Sequence, residues 1–320
     1  MKAQIYTQYG PPSVIRFAEI AKPNVGKSDV LIQVKAATVN RTDSGFRSAE
    51  YFVSRFFSGL FRPNQPVLGC EFAGVVSEIG SEVSKFKVGD RVFGFDDEGF
   101  GAHAEFKVID ENKGITTIPE GLDFETAAAL SEGSHYALGN IRAANVLADQ
   151  HVLVIGGTGA IGSAAIQLIK GIGAKVTAVC PGAHMNTVRN LGADRVVNFQ
   201  TEDFTQTEER YEFIFDAVGK SRFSICKPLL KEKGIYISTE LGPRLENIFL
   251  AIKHKFTSGK KLLFPIPTFS QEDLIFLKTQ YEKGLFKPLI DRVYDFDQLV
   301  EAYTYVGTGQ KIGNVILRIS

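Results

Sequence analysis

Residues 150–170 read QHVLVIGGTGAIGSAAIQLIK, and the fold of the whole chain turns on this stretch. Val152–Ile155 is a short apolar run of strand length. Gly157, Gly159 and Gly162 follow it in G-x-G-x-x-G spacing, and a helical pattern starts near Ala160. Read as a phosphate cradle, Gly157 permits the tight turn and Gly159 removes bulk where a pyrophosphate approaches. Gly162 then lets the helix pack closely on the sheet. The free N–H groups of the first helical turn, at Ala160 and Ile161, and the positive end of the helix dipole face that phosphate. The bland alternative is a structural strand–helix–strand crossover with no ligand. Gly156 is a further flexible position with no role assigned from sequence.

Working outward, the context matches the cradle. AKVTAV, DRVVNF, EFIFDAV and GIYIST are short apolar strands with helix-like segments between them, at Ser163–Ile172 and Met185–Leu191 among others. This alternation predicts a parallel sheet covered on both faces, and KKLLFPI adds a further candidate strand. The first third differs: DVLIQVKAATV, EFAGVVSEIG, VGDRVFGF and HAEFKVI read as strands joined by turns. LDFETAAALSEGSHYALGNI reads as helix, with Asp123 or Thr126 as its cap. The tail holds two helical patterns and a last strand, NVILRI, which pattern alone assigns weakly to the first domain. The expected division is residues 1–122 with 267–320 as one discontinuous β-rich domain, and 123–266 as the nucleotide-binding domain.

Composition excludes several classes. The 320 residues carry 36 basic and 36 acidic side chains, so broad attraction to nucleic acid is not expected. Apolar runs break well before membrane-spanning length. The N-terminus reads as strand and turn, not as a secretion signal. Cys70, Cys180 and Cys226 form neither a disulfide framework nor a zinc clip. A cytoplasmic protein is the expectation. The 25 phenylalanines alongside no tryptophan read mostly as core.

The second strand bears on the cofactor. A site for NAD carries an acid about 20 residues after the first glycine, to accept from the ribose hydroxyl. Here the strand runs into CPGAHMNTVR with no acid at its end, which permits a 2′-phosphate and predicts NADP(H). Cys180 sits at that end without charge; His184 and Arg189 are within sequence reach of the phosphate. Asp216–Gly219 and Ser238–Thr239 end two further strands, which places Val218 and Thr239 as candidates to line the cofactor crevice, or as turn residues.

On LIQVKAATVNRTD, LGCEFAGVVSEIG, KFKVGDRVFGF, VLVIGGTGAIGSAAIQLIKGIGAKV, LGADRVVNF, FIFDAVGK and GTGQKIGNVIL, the chain resembles the medium-chain dehydrogenase/reductase superfamily, and within it the zinc-independent quinone oxidoreductase branch. The resemblance spans nearly the whole chain. It implies a GroES-like β domain, a Rossmann domain and a last strand that returns to the first domain. It also implies NADPH-dependent reduction of quinones or activated C=C bonds and a homodimer. Setting the motifs of zinc-dependent members on this chain puts Asn40, Cys70 and Ser131 at the ligand positions. That leaves one soft ligand where three are needed, so no metal is expected. Without a metal to activate an alcohol oxygen, electron-poor apolar acceptors are the expected substrates.

The same resemblance matches Asn40 and Asp43 to an N-x-x-D segment near the nicotinamide. It implies that Asn40 fixes a substrate or cofactor amide and that Asp43 orients its neighbours. Phe46 stands where many relatives have Tyr, which removes a phenolic donor; Tyr51, Tyr136 and His135 are candidate substitutes. His135 stands where relatives have Thr, and His184 where many have a Lys that meets the 2′-phosphate. Lys311 and Asn314 match a segment that folds back toward the cofactor. Cys70 reads first as a small buried hydrophobe. The Phe-rich segment Phe46–Phe61 either roofs an apolar pocket or packs as an ordinary helix. Two other readings stay open: a nucleotide-binding sensor or structural protein with little turnover, and a metal-free reductase of another carbonyl compound.

Overall fold

The computed structural model describes residues 1–50, 55–266, 268 and 270–319, without the Phe57 side chain. It divides into two units. One comprises Met1–Glu132, Phe269–Glu282 and Pro288–Ser320; the other comprises Gly133–Thr268 and Lys283–Lys287. The sequence pattern put the splits at 122/123 and 266/267, and specific contacts account for the difference. The short helix Phe124–Ala128, capped by Asp123 through the Thr126 N–H, stays with the first unit. There Glu125 pairs with Arg318 at 2.7 Å and the Phe124 ring lies under the Arg91 guanidinium. Lys283–Lys287 belongs to the second unit because Gln167 and the Lys287 backbone exchange hydrogen bonds in both directions, each of 2.9 Å.

The first unit is built on a seven-stranded sheet. Its order is Ile290–Asp295, Asn314–Arg318, Asp29–Thr38, Glu71–Ile79, Arg91–Phe95 and Ile115–Thr117, with Phe106–Asp110 also paired to Asp29–Thr38. Val30, Ile32 and Val34 alternate along the central strand and enter one apolar core with Phe72, Val76, Tyr303 and Val306. The last strand does return to this unit, with Ile316 opposite Thr38 in antiparallel register. Ile290–Asp295 escapes a sequence reading: IDRVYD is a half-exposed edge strand with no apolar face to alternate. Of the Phe-rich segment, Arg55–Ser58 is a short helix tied to Tyr9, whose hydroxyl donates to the Gly59 carbonyl at 2.6 Å. Phe46 joins the core against Phe100, whereas Phe56 and Phe61 are exposed. Tyr51 and Phe52 lie outside the described residues.

The second unit has six parallel strands, ordered Arg195–Asn198, Lys175–Cys180, His151–Ile155, Tyr211–Asp216, Leu230–Ser238 and Lys261–Leu263. Numbered along the chain this is 3-2-1-4-5-6, the doubly wound arrangement in which the strand order reverses beside the first strand. The carboxyl ends of the strands His151–Ile155 and Tyr211–Asp216 therefore flank a topological switch point, where open α/β sheets hold ligands. Among the described residues no helix is long and apolar enough to cross a membrane.

Candidate functional site

The glycine loop lies at that switch point. Gly156 follows the central strand with φ of 85° and takes the left-handed turn itself, which corrects the assignment of that turn to Gly157. A side chain at Gly156 would also collide with Val218. Gly157 instead packs on the sheet and helix: a methyl there would stand 3.1 Å from Ile166 Cδ1 and 3.2 Å from Ala178 Cβ. Gly162 touches the loop so closely that a methyl would overlap the Gly156 carbonyl oxygen. Over Gly159 there is room, with the nearest atom to an added methyl 3.6 Å away. Gly159 caps the helix Ala160–Ile172 without a side-chain hydrogen bond, and the first turn holds no acid. The helix geometry leaves the N–H groups of Ala160, Ile161 and Gly162 without intrahelical partners, a cradle for an anion.

Neighbouring strand ends bring other expected residues to the same edge. Asp216 is fully buried, and its carboxylate accepts from the N–H groups of Val218, Lys220 and Ser221 at 3.3, 3.2 and 2.8 Å, and from Tyr236 Oη at 3.2 Å. Burial pushes this carboxyl up, and the backbone donors oppose the shift. One side chain thus fixes the loop that sets Val218 beside Gly156, a role sequence reading did not assign to it. The Thr239 N–H donates to the Asp216 carbonyl, which holds the next strand end alongside. Cys180 ends the second strand, buried, with its thiol pushed up by burial. His184 lies half-buried four residues on, in the turn Gly182–His184. Arg189 donates to Asn186 Oδ1 at 3.0 Å on the helix surface.

His135 and Tyr136 sit in the first turn of the helix Glu132–Ala143, their rings 5.3 Å apart. Gly133, just before them, approaches the Ala160 backbone so closely that a methyl would stand 2.8 Å from its carbonyl carbon. His135 is buried and Tyr136 half-buried.

The first unit gathers the remaining candidates in a buried polar cluster. Asn40 caps the helix Arg41–Ser48, its side-chain oxygen accepting from the Asp43 N–H at 2.8 Å. Its amide nitrogen donates to Thr38 Oγ1 at 3.3 Å and Cys70 Sγ at 3.1 Å. The Asn40 amide, expected to grip a substrate or cofactor, is therefore engaged at both ends inside the unit. Asp43 is fully buried; it accepts from the Gly69 N–H at 3.1 Å through one oxygen, while the other finds no partner. Burial pushes Asp43 up to about 8, so it is neutral at pH 7. Glu71 accepts from Thr38 Oγ1, from Ser131 Oγ at 2.9 Å and from the Glu132 N–H at 2.6 Å. Glu132 accepts from Thr42 Oγ1 at 2.6 Å. Burial, then the charge of Glu71, pushes Glu132 up to about 8. Lys311 donates to the Gly313 carbonyl at 2.6 Å; burial lowers its ammonium while Glu132 and Glu71 support it. Asn314 turns away from this group, its amide nitrogen donating to the Leu289 carbonyl at 3.0 Å.

Glu132 is the part of this cluster that sequence reading missed outright. Glu71, in GCE beside Cys70, is assigned no proton or carboxylate role by the sequence pattern either. The available signal was the glutamate in GCE and in SEGSH, each inside a run otherwise apolar or small.

The donors present do not suit a metal. Among the described residues no three His, Cys, Asp or Glu side chains are grouped to hold an ion. Burial, first, and then the nearby acids keep the Cys70 thiol well above its ordinary value, and its sulfur already accepts from the Asn40 amide at 3.1 Å. His103 is occupied, with Nε2 at 2.8 Å from the Thr38 carbonyl and Nδ1 at 3.4 Å from Tyr303 Oη.

Comparison with known proteins bears on both units. Residues 26–120 match the alcohol dehydrogenase GroES-like domain family, and residues 191–317 the zinc-binding dehydrogenase family. Over 99% of its length the chain is 30% identical to 2-methylene-furan-3-one reductase of Solanum lycopersicum, covering 79% of that protein. It is 28% identical to the chloroplastic NADPH-dependent alkenal/one oxidoreductase of Arabidopsis thaliana, with the same coverage of 99% and 79%. The structure of the quinone oxidoreductase from Coxiella burnetii superposes with a TM-score of 0.89 at 28% identity, over 100% of this chain and 99% of that one.

Proposed function

The chain belongs to the medium-chain dehydrogenase/reductase superfamily, in its quinone oxidoreductase branch, and on that premise we propose that it is an oxidoreductase that uses NADPH, without zinc, to reduce quinones or the activated C=C bonds of enones and enals. The observation that carries the reading is the glycine loop at the switch point of the second unit's sheet. It offers first-turn N–H groups at Ala160, Ile161 and Gly162 that have no intrahelical partner, and room over Gly159. NADPH, once bound, supplies a hydride and with it two electrons. The first helical turn holds the pyrophosphate. His184, close to a strand end that carries no acid, meets the 2′-phosphate. Asp216 fixes the Val218 loop, and Thr239 continues the same edge toward the nicotinamide half. Asn40 and Asp43 act as positioning residues in the first unit, one as a helix cap and the other as a neutral acid.

Among the described residues no donor set is grouped to hold an ion, which favours acceptors that need no metal-polarised oxygen. A homodimer belongs to the same proposal. The strand Lys261–Leu263 is a sheet edge, and the nearby helix Glu246–His254 and its flanks expose Phe249, Ile252 and Phe256. Cytoplasmic residence fits three cysteines that are all free. The test follows NADPH and NADH consumption against menadione, an enal and an enone, with product identification and metal analysis of the same sample. Faster turnover with NADPH and a saturated carbonyl product are expected. An allylic alcohol would overturn the C=C reading, and tight NADPH binding with no turnover would make the protein a nucleotide binder instead.

A further inference from the structure

The helix Glu246–His254 is seated in the second unit by one face. Asn247 and His254 are its buried residues, and Leu250 and Ala251 pack on the core of that unit. Asn247 donates to the Glu240 carbonyl at 2.7 Å, and His254 Nδ1 accepts from the Leu262 N–H at 2.9 Å. Phe249, Ile252 and Phe256 recur three and four residues apart and share the opposite face. The Phe256 N–H still bonds the Lys253 carbonyl, at 3.2 Å, so the winding carries on to that ring. Phe249 is 66% exposed and Phe256 86%, and Leu245 is exposed just ahead of the helix. Single exposed apolar side chains are ordinary, whereas a stripe of them along one helix marks a surface that something covers.

Charge identifies the occupant. Between Leu241 and Ile266 the chain carries Arg244, Lys253, Lys255, Lys260 and Lys261 against a single acid, Glu246, although its 36 basic and 36 acidic side chains balance overall. By helical phase Lys253 and Lys255 flank the stripe, one on each side. Lys260 donates to the Lys227 carbonyl at 2.9 Å. Among the described residues Arg244, Lys253, Lys255 and Lys261 pair with no carboxylate. We propose that this face docks on an anionic lipid surface. Phe249, Ile252 and Phe256 enter the boundary between headgroups and acyl chains, and the lysines stay at the phosphates. The helix, of 9 residues, lies in that interface and does not span it. A second copy of the chain is the competing occupant. In a two-fold contact centred on the stripe the patch meets itself, which sets these lysines against the same lysines, so the homodimer proposed above draws on the strand edge and not on the stripe.

Docking goes beyond the reductase reading and stands without it. Its use rests on that reading: a docked reductase meets long-chain quinones and enals in the phase that dissolves them.

The experiment sediments the full chain with vesicles of phosphatidylserine and phosphatidylcholine, and with vesicles of phosphatidylcholine alone. The chain is expected to bind the mixed vesicles, less so as salt is added, and to leave the neutral ones in solution. Phe249→Ser with Phe256→Ser lowers partitioning to the mixed vesicles by about a hundredfold, the effect of removing two rings from an apolar phase. Lys253→Gln with Lys255→Gln lowers it by about thirtyfold, about fivefold for each cation near the surface. All four residues are exposed, so both variants keep the wild-type Tm and NADPH affinity. Equal binding to both kinds of vesicle, or to neither, overturns the proposal, as does undiminished binding by the phenylalanine variant. A dimer in vesicle-free solution that the phenylalanine variant splits gives the stripe to a second copy and overturns it too. A chain that docks as expected and consumes no NADPH with any acceptor sinks the reductase reading alone, a result distinct from failure of docking.

Discussion

Two glycines three residues apart are expected to separate folding from binding. At Gly159, φ is −68° and ψ 167°, backbone that alanine adopts freely, and an added methyl meets nothing nearer than 3.6 Å. Gly159→Ala loses some N-cap preference, of order 1 kcal/mol. It recovers about 0.4–1 kcal/mol by restricting the unfolded chain. The two nearly offset, so Tm should hold within about 2 °C, given that 1 kcal/mol moves a domain of this size by about 2–4 °C. The methyl nevertheless fills the space over the helix N-terminus. Displacing one charge-assisted hydrogen bond to a phosphate costs about 1.5–3 kcal/mol, so Kd for NADPH should rise about ten- to a hundredfold.

At Gly162 the methyl would overlap the Gly156 carbonyl, a backbone atom of the loop, inside the 3.0 Å that Cβ atoms respect. Either the helix or the loop must move, at a cost of about 1–3 kcal/mol for overpacking, and the cradle moves with it. Gly162→Ala should therefore lose both Tm and affinity. Thermal melts and fluorescence titration with NADPH measure the two effects separately. Wild-type affinity in Gly159→Ala would refute the reasoning, because the space over Gly159 would then not be where a phosphate sits.

Other consequences follow from buried charge. The Asp43 and Glu132 carboxyls are both pushed up to about 8 from ordinary values of 3.8 and 4.5, so the folded chain holds protons that the unfolded chain has released. Their stabilising share is complete below the unfolded values and is lost as pH rises toward 8, by up to about 1.4 kcal/mol per unit for each group. Urea midpoints should fall between pH 6.5 and 8, and less steeply in Asp43→Asn; an equal slope in that variant would contradict the assignment. Lys107 pairs with Asp96 at 2.7 Å, both buried. Lys107→Met strands the carboxylate and should cost about 3–5 kcal/mol in denaturant titration, and a loss under about 1 kcal/mol would show the pair to be solvated. Prolonged dialysis against a chelator should leave NADPH turnover intact, and loss of activity restored by zinc would reverse the metal reading.

The second unit was legible because its signals are local. Each strand is a short apolar run, and the glycine spacing marks the helix start within a residue: Ala160 is where the helix begins. What escaped was which glycine turns. Gly156 and Gly157 are adjacent and indistinguishable in sequence, and only the packing of Gly157 on Ile166 and Ala178 assigns the positive φ to its neighbour. In the first unit the long central strand was plain from Val30, Ile32 and Val34, while the edge strand Ile290–Asp295, half-solvated and charged, gave no periodicity. The acid cluster was hidden for another reason. Glu71 and Glu132 are 61 residues apart and meet through a backbone N–H, a contact that no local pattern encodes.

That cluster makes its own demand on protons. It contains three carboxyls, Asp43, Glu71 and Glu132, and one ammonium, Lys311. A buried site strongly disfavours net charge. Neutrality at pH 7 then requires two protons on the three acids, and hydrogen bonding decides where they reside. Glu71 has the donors to stay ionised, so the protons fall to Asp43 and Glu132. Lys311 is the counterweight, since its charge lowers the proton affinity of Glu132. Lys311→Met should therefore tighten the hold of Glu132 on its proton and extend the fall of the urea midpoint with rising pH to higher pH. A fall left in place, or moved to lower pH, would mean that Lys311 does not share the field of Glu132, and the assignment of a proton to that carboxyl would fail with it.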